Sequence, residues 1–211
     1  QVLHISLHQD GRTLFPGTGF VEERGGPGAY ARTLNLPLPP GTSDKGLLFA
    51  LKELVLPILS DFDPDLIINA AGQDNHYSDP LTNMNISAQG YAEMNSLLNP
   101  DLAVLQGGYS IESALPYINV GLILAMAGLD YSRVQEPNYD PEQLQQDNEI
   151  TERIEKRVKK LQTYWKHRNR RDLEKIYGKL NKYYTRNKSI HYDTSGIQEK
   201  QQEQVRICDS C

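Results

Sequence analysis

Three short apolar runs, each followed by a glycine-bearing turn, limit most strongly what this chain can fold into. Val2-Leu3-His4-Ile5-Ser6-Leu7-His8 alternates like a strand, while Asp65-Leu66-Ile67-Ile68-Asn69-Ala70 and Asp101-Leu102-Ala103-Val104-Leu105 are continuous. Continuous aliphatic runs of that length suit strands buried on both faces of a parallel sheet. Helix patterns lie between them at 44–60, 87–98 and 111–128, the first two opening at Asp44, with Ser43 before it, and at Ser87, residues suited to an N-cap. The resulting βαβαβα order predicts an α/β fold with a parallel sheet and right-handed crossovers.

With 211 residues, of which 38% are hydrophobic and 23% charged, the chain holds enough for one compact domain and is not a disordered tail. No window approaches the ~18 consecutive apolar residues of a membrane span, and Gln1-Val2-Leu3 does not read as a signal peptide. The start also lacks an initiator methionine, so the expectation is that the visible beginning is not the true one. The formal charge of −5 hides a split: residues 1–140 hold 6 Lys/Arg against 16 Asp/Glu, and residues 141–211 hold 16 against 11. The only two cysteines, Cys208 and Cys211, are spaced C-x-x-C, which fits a reducing, cytoplasmic compartment better than a disulfide framework.

Residues 15–40 carry no sustained period and read as a long ordered loop, a kind that is often functional. The chain divides near residue 140. Over 141–188 the pattern is charged and helical: Ile150, Ile154, Val158, Leu161 and Trp165 form one stripe, and Leu173, Ile176, Leu180 and Tyr184 resume it behind a cap at Asp172. The basic block 166–171, beside Tyr164 and Trp165, reads either as a nucleic-acid contact or, with more weight, as the solvated face of a helical pair packed on the domain or on another copy of the chain. Residues 189–211 are polar and Gln-rich, a linker ending in the C-x-x-C pair.

Open parallel sheets bind ligands beyond the carboxyl ends of their strands. There the chain places Ser6-Leu7-His8 with Phe15-Pro16-Gly17-Thr18-Gly19, Gly72-Gln73-Asp74-Asn75-His76 with Asp79-Pro80-Leu81, and Gln106-Gly107-Gly108-Tyr109. Asp74 could ligate a divalent metal or form a turn or cap; Tyr109, behind two glycines, could donate to a developing oxyanion or pack over the sheet edge. Taken singly, none of these signals chooses between its readings.

In this order, the three strings resemble the histone deacetylase superfamily, which includes acetylpolyamine amidohydrolases and acetoin-utilisation proteins. Residues 5–8 and 15–19 are similar to its S-L-H and [FY]-P-G-T-G motifs, residues 71–81 to S-A-G-F-D-A-H-x-x-D-P-L, and residues 105–109 to L-E-G-G-Y, a resemblance covering about residues 1–140. It implies the parallel-sheet arginase/deacetylase-like α/β fold, incomplete at the N-terminus and followed by a helical extension, and a zinc-dependent amidohydrolase acting on an acetylated amine such as acetyl-lysine or a polyamine. It assigns Asp74 to the catalytic zinc, Tyr109 to the oxyanion, Phe15, Leu81 and Gly107 to the acyl tunnel, and Ser6 and Leu7 to a structural K+ or Na+.

The chain also departs from that pattern. The His-His pair that supplies the general base and the Asp-x-His pair that supplies two further zinc ligands are absent, so the expectation is a fragment that by itself neither holds zinc tightly nor hydrolyses amides. Gln73 and Asn75 replace an aromatic and a small residue, which leaves the acyl group and carrier amine open. Asn75 and His76 after Asp74 also argue against the two-metal Asp-x-Asp site of ureohydrolases. Cys208 and Cys211 read as half of a structural zinc knuckle, a redox pair or an incidental pair. The rival functions are a non-catalytic module of the same fold that binds acyl ligands or a partner, and a nucleic-acid-associated protein acting through the basic helical tail.

Overall fold

Strand pairing begins at His4, two residues into the alternating run. The computed structural model describes residues 1–169, 172–179, 181–192 and 197–206. They fall into two units, Gln1–Leu38 with Lys156–Cys211, and Pro39–Glu155.

In the first unit, β1 (His4–Gln9) pairs in parallel with β2 (Thr33–Leu38), in a register running from His4 opposite Thr33 to Gln9 opposite Leu38. β2 lies inside the stretch expected to be loop, and it is a buried strand: Leu34, Leu36 and Leu38 are fully enclosed. Its alternation is masked in the sequence by Pro37 and the following Pro39-Pro40, residues that ordinarily end strands. A long helix, α5 (Asn148–Lys166), contributes Val158, Leu161 and Trp165 to the core, the stripe its spacing predicts. Asp172 caps α6 (Leu173–Tyr177), accepting from the Lys175 N–H at 3.1 Å, but the helix stops at Gly178, which sits at φ +78.

The expected helical stripe therefore does not reach Tyr184; Leu180 lies outside the described residues. Tyr184 belongs to β5 (Tyr183–Tyr192), which forms an antiparallel hairpin with β6 (Ile197–Arg206). The extension is helix followed by hairpin, and most of the supposed polar linker is strand. Both hairpin faces are largely solvated, so no apolar period marks the strands; cross-strand pairs such as Arg186–Glu203 at 2.6 Å stand in its place.

In the second unit, α1 (Asp44–Ala50), a π-helical turn (Leu51–Val55) and α2 (Leu56–Phe62) run on as one helix. Pro57 cannot donate to the carbonyl four residues earlier, and the wider turn beside it accommodates the loss. The buried stripe is Leu47, Ala50, Leu51, Leu54, Val55 and Ile58. The N-cap is Ser43, without a side-chain bond; Asp44, the expected cap, instead accepts from the backbone N–H (2.8 Å) and hydroxyl (2.5 Å) of Ser87, the cap of α3 (Ala88–Leu98). A carboxylate there complements the partial positive charge of a helix start.

β3 (Ile68–Ala71) and β4 (Leu102–Leu105) pair in parallel with α3 as the crossover, and α4 (Leu115–Met126) packs on α3 closely enough that a Cβ on Gly121 would stand 3.1 Å from Ala92 Cβ. Ile68 (55% exposed), its register partner Leu102 (48%) and Val104 (40%) share one face of β3 and β4, which so presents an apolar strip. No helix among the described residues is long and apolar enough to cross a membrane.

Candidate functional site

The loops that follow β3 and β4 face each other in the second unit. Gln73 N–H donates to Gly107 O at 2.6 Å, joining the turn after β3 to the turn after β4. Two glycines then make room for one carboxylate. A Cβ on Gly72 would stand 3.2 Å from Asp74 Oδ1, and one on Gly107 would stand 3.0 Å from Asp74 Cγ and Oδ2. The Asp74 backbone is anchored on both sides of that cradle: Thr82 Oγ1 donates to its carbonyl, and the next N–H, of Asn75, donates to Tyr91 Oη at 3.1 Å. Burial lifts the Asp74 carboxyl above its ordinary value, opposed by its own backbone N–H and reinforced by the charge of Asp79.

Tyr109 follows Gly108, which sits at φ +146 with Gln73 Cβ and Leu115 Cδ2 both 3.0 Å from where a Cβ would be. Only glycine fits there, and the tyrosine side chain beyond it is half-exposed. Its N–H donates to Asp79 Oδ2 at 2.7 Å, while Asp79 Oδ1 accepts from the Leu81 N–H at 3.0 Å. The second unit thus gathers four of the expected site residues, Asp74, Leu81, Gly107 and Tyr109. Gly107 serves there as one wall of the Asp74 cradle.

His76, two residues beyond Asp74, is fully buried and engaged elsewhere. The Ser78 backbone N–H donates to His76 Nδ1 at 3.1 Å, which leaves the ring proton on Nε2 to donate to Glu136 Oε1 at 3.0 Å. Burial pushes the Glu136 carboxyl up, but the bonds from His76 and the Ala88 N–H outweigh it and hold the group below its usual value. Gln73, which stands where the family motif has an aromatic, is buried and donates to Asn119 Oδ1 at 2.6 Å.

Ser6, Leu7 and Phe15 lie in the first unit. His8 Nε2 reaches the Gly19 carbonyl at 2.9 Å and so carries the proton; Nδ1 accepts from the Ser6 hydroxyl at 2.8 Å, and burial lowers the imidazole pKa. Gly19, at φ +81, has no space for a side chain, since a Cβ would stand 2.4 Å from that nitrogen. Phe15 is 52% exposed. Trp165, which stands beside the basic block in the sequence, is buried, with Arg168 4.1 Å and Arg32 5.5 Å from its ring centre. Cys208 and Cys211 lie outside the described residues.

Among the described residues, no group of three or more His, Cys, Asp and Glu side chains is placed to hold a metal ion. The Asp74 carboxylate, half-buried in its glycine cradle, suits one ligand position; Asp79 and His76 are committed to other partners. Sequence reasoning missed the supports of this site, namely Thr82, Tyr91, Glu136 and the double grip of Asp79. Only Asp79 carried a signal, its place in the D-P-L string.

Residues 1–120 match the Histone deacetylase domain family. A "Probable deacetylase" of Archaeoglobus fulgidus is 47% identical over 154 residues, covering 68% of this chain and 42% of that protein. The acetoin utilization protein AcuC of Staphylococcus xylosus is 35% identical over 138 residues, covering 61% of this chain and 36% of that protein. Among solved structures, the HD domain of HDA15 superposes with a TM-score of 0.65 at 27% identity, covering 83% of this chain and 46% of that one. The chain therefore spans less than half the length of these curated relatives.

Proposed function

Since this chain belongs to the histone deacetylase family, we propose that its second unit carries part of the catalytic site of a zinc-dependent amidohydrolase that removes acetyl groups from an amine. The observation that carries the reading is the two-glycine cradle around Asp74, facing the Gly-Gly-Tyr turn of Tyr109. Asp74 would offer one anionic oxygen of the protein ligands that such a zinc site takes. When bound, zinc supplies Lewis acidity and a water of lowered pKa. As water adds to the acyl carbon and the amine departs with a proton, the Tyr109 hydroxyl donates a hydrogen bond to the oxygen on which negative charge develops. Leu81, in the same unit as Asp74 and Tyr109, would line the acyl channel. Ser6 and Leu7 would help hold a structural K+ or Na+; Ser6 gives its proton to His8 and so would offer its oxygen as an acceptor.

The substrate is an acetylated lysine, polyamine or other small amine, met in a reducing compartment such as the cytoplasm. The test is a hydrolysis panel of acetyl-lysine peptide, acetylpolyamine and small acetamides, run on a form of the protein that completes the ligand set, with Asp74→Asn and Tyr109→Phe beside it. Turnover that survives Asp74→Asn sinks the assignment. The 211 residues alone are expected to be inactive, and stoichiometric zinc with turnover by this chain would refute that. The commitment of His76 to Glu136 and of Asp79 to the Tyr109 and Leu81 N–H groups supports a second reading, an acyl-binding module that does not hydrolyse; it predicts saturable binding of an acetylated amine with no product from any form of the protein.

A further inference from the structure

Asp79 does more than form a turn. Its Oδ1 bond to the Leu81 N–H is the local bond that an aspartate makes two residues ahead in many turns. The Oδ2 bond to the Tyr109 N–H, 2.7 Å long, has no such local reason, since it crosses to a residue 30 positions away. The side chain is only 6% exposed, so water does not compete freely for either oxygen. Two further bonds run alongside, Gln73 N–H to Gly107 O and Ser78 Oγ to Ser110 Oγ at 2.8 Å, but neither reaches Tyr109 or Leu81 themselves.

From this geometry we infer that Asp79 is a positioning residue, one buried carboxylate that sets the backbone of the oxyanion-binding tyrosine and of the acyl-channel leucine together. The inference rests on the deacetylase reading for its catalytic consequence, but the linkage itself is a property of this chain. Tyr109 follows Gly108, whose backbone no side chain restricts, so the tyrosine needs an external anchor to hold its hydroxyl at a fixed place. Asp79 provides that anchor from the same loop that carries Asp74. A substrate that presses on Leu81 is then felt at Tyr109 through two hydrogen bonds on one side chain.

The test has two arms. In the unmodified chain, amide hydrogen exchange is followed residue by residue. The Tyr109 and Leu81 N–H groups, both outside regular elements, are expected to exchange at least about tenfold more slowly than exposed loop amides. Asp79→Asn keeps the shape but turns an N–H donor toward one of the two backbone donors, so one of these amides loses its protection while those of α3 keep theirs. Fast exchange of either amide in the unmodified chain overturns the linkage, with no variant needed. In a catalytically complete form, Asp79→Asn is expected to lower kcat by about tenfold to a hundredfold, with a smaller change in KM, and to change kcat less than about threefold once Tyr109 is already Phe. An equal loss in both backgrounds overturns the positioning role. Absence of turnover in every form refutes the deacetylase reading instead, and the exchange arm still decides on Asp79.

Discussion

Gly107→Ala asks the Asp74 cradle to hold one more carbon. The new Cβ would stand 3.0 Å from Asp74 Cγ and Oδ2 and 3.3 Å from Oδ1. Carbon contacts are comfortable at about 3.5–4.0 Å, so three atoms are crowded at once. Gly107 does not occupy the left-handed region, so alanine there adds no backbone strain and the effect is steric. The carboxylate can swing only as far as its anchored backbone allows, between Thr82 and Tyr91. Crowding of this kind costs about 1–3 kcal/mol, and the half-exposed side chain puts the expectation at about 1–2. With a urea m-value of about 2 kcal/mol/M, the unfolding midpoint drops by about 0.5–1 M. The decisive assay is urea unfolding of four proteins: the parent, Gly107→Ala, Asp74→Ala and the double variant. Without the carboxylate the extra methyl has space, so Gly107→Ala becomes nearly neutral and the cycle yields a coupling of about 1 kcal/mol or more. Gly108→Ala is the control: its strain comes from φ +146 and from Gln73 and Leu115, and it persists whether or not Asp74 is present. An equal cost for Gly107→Ala in both Asp74 backgrounds would refute the cradle.

Other expectations concern stability. Burial works to raise the Asp10 carboxyl, but the Arg12 N–H and the Arg157 and Arg12 guanidiniums outweigh it and hold the group below its ordinary 3.8. The stabilisation it brings is complete above that value and fades as pH falls through the lower folded one, so Asp10→Asn should flatten the acid limb of a pH–stability curve. His76→Ala leaves the buried Glu136 carboxylate without its ring donor and is expected to cost about 3–5 kcal/mol in chemical unfolding, with His76→Ala/Glu136→Leu recovering part of the loss. The apolar strip of β3 and β4 should make the isolated chain bind a hydrophobic dye such as ANS, and Leu102→Lys should lower that fluorescence without lowering the melting temperature.

What could be read in the sequence, and what could not, follows from how local each determinant is. The apolar runs of β1, β3 and β4 and the Ser87 cap rest on neighbours in the chain, and so their positions were legible to within a few residues. β2 was hidden because Pro37 and Pro39-Pro40 carry the local signal of a loop while Leu34, Leu36 and Leu38 carry a tertiary one, burial beside β1. The hairpin was hidden for the opposite reason: a strand solvated on both faces has no hydrophobic period, and only the register between Tyr183–Tyr192 and Ile197–Arg206 makes it a strand. The candidate site divides in the same way. Asp74 and Tyr109 stand at positions that short motifs mark, but their geometry depends on bonds spanning from 8 residues, Thr82 to Asp74, to 30, Tyr109 to Asp79. A motif specifies the groups that meet the substrate, whereas the groups that aim them are chosen by packing and leave a weaker trace. Asp79 belongs to both classes, since its string is visible and its second bond is not. Substitution there should therefore disturb the aim of Tyr109 while leaving in place the Asp74 carboxylate proposed as a metal ligand.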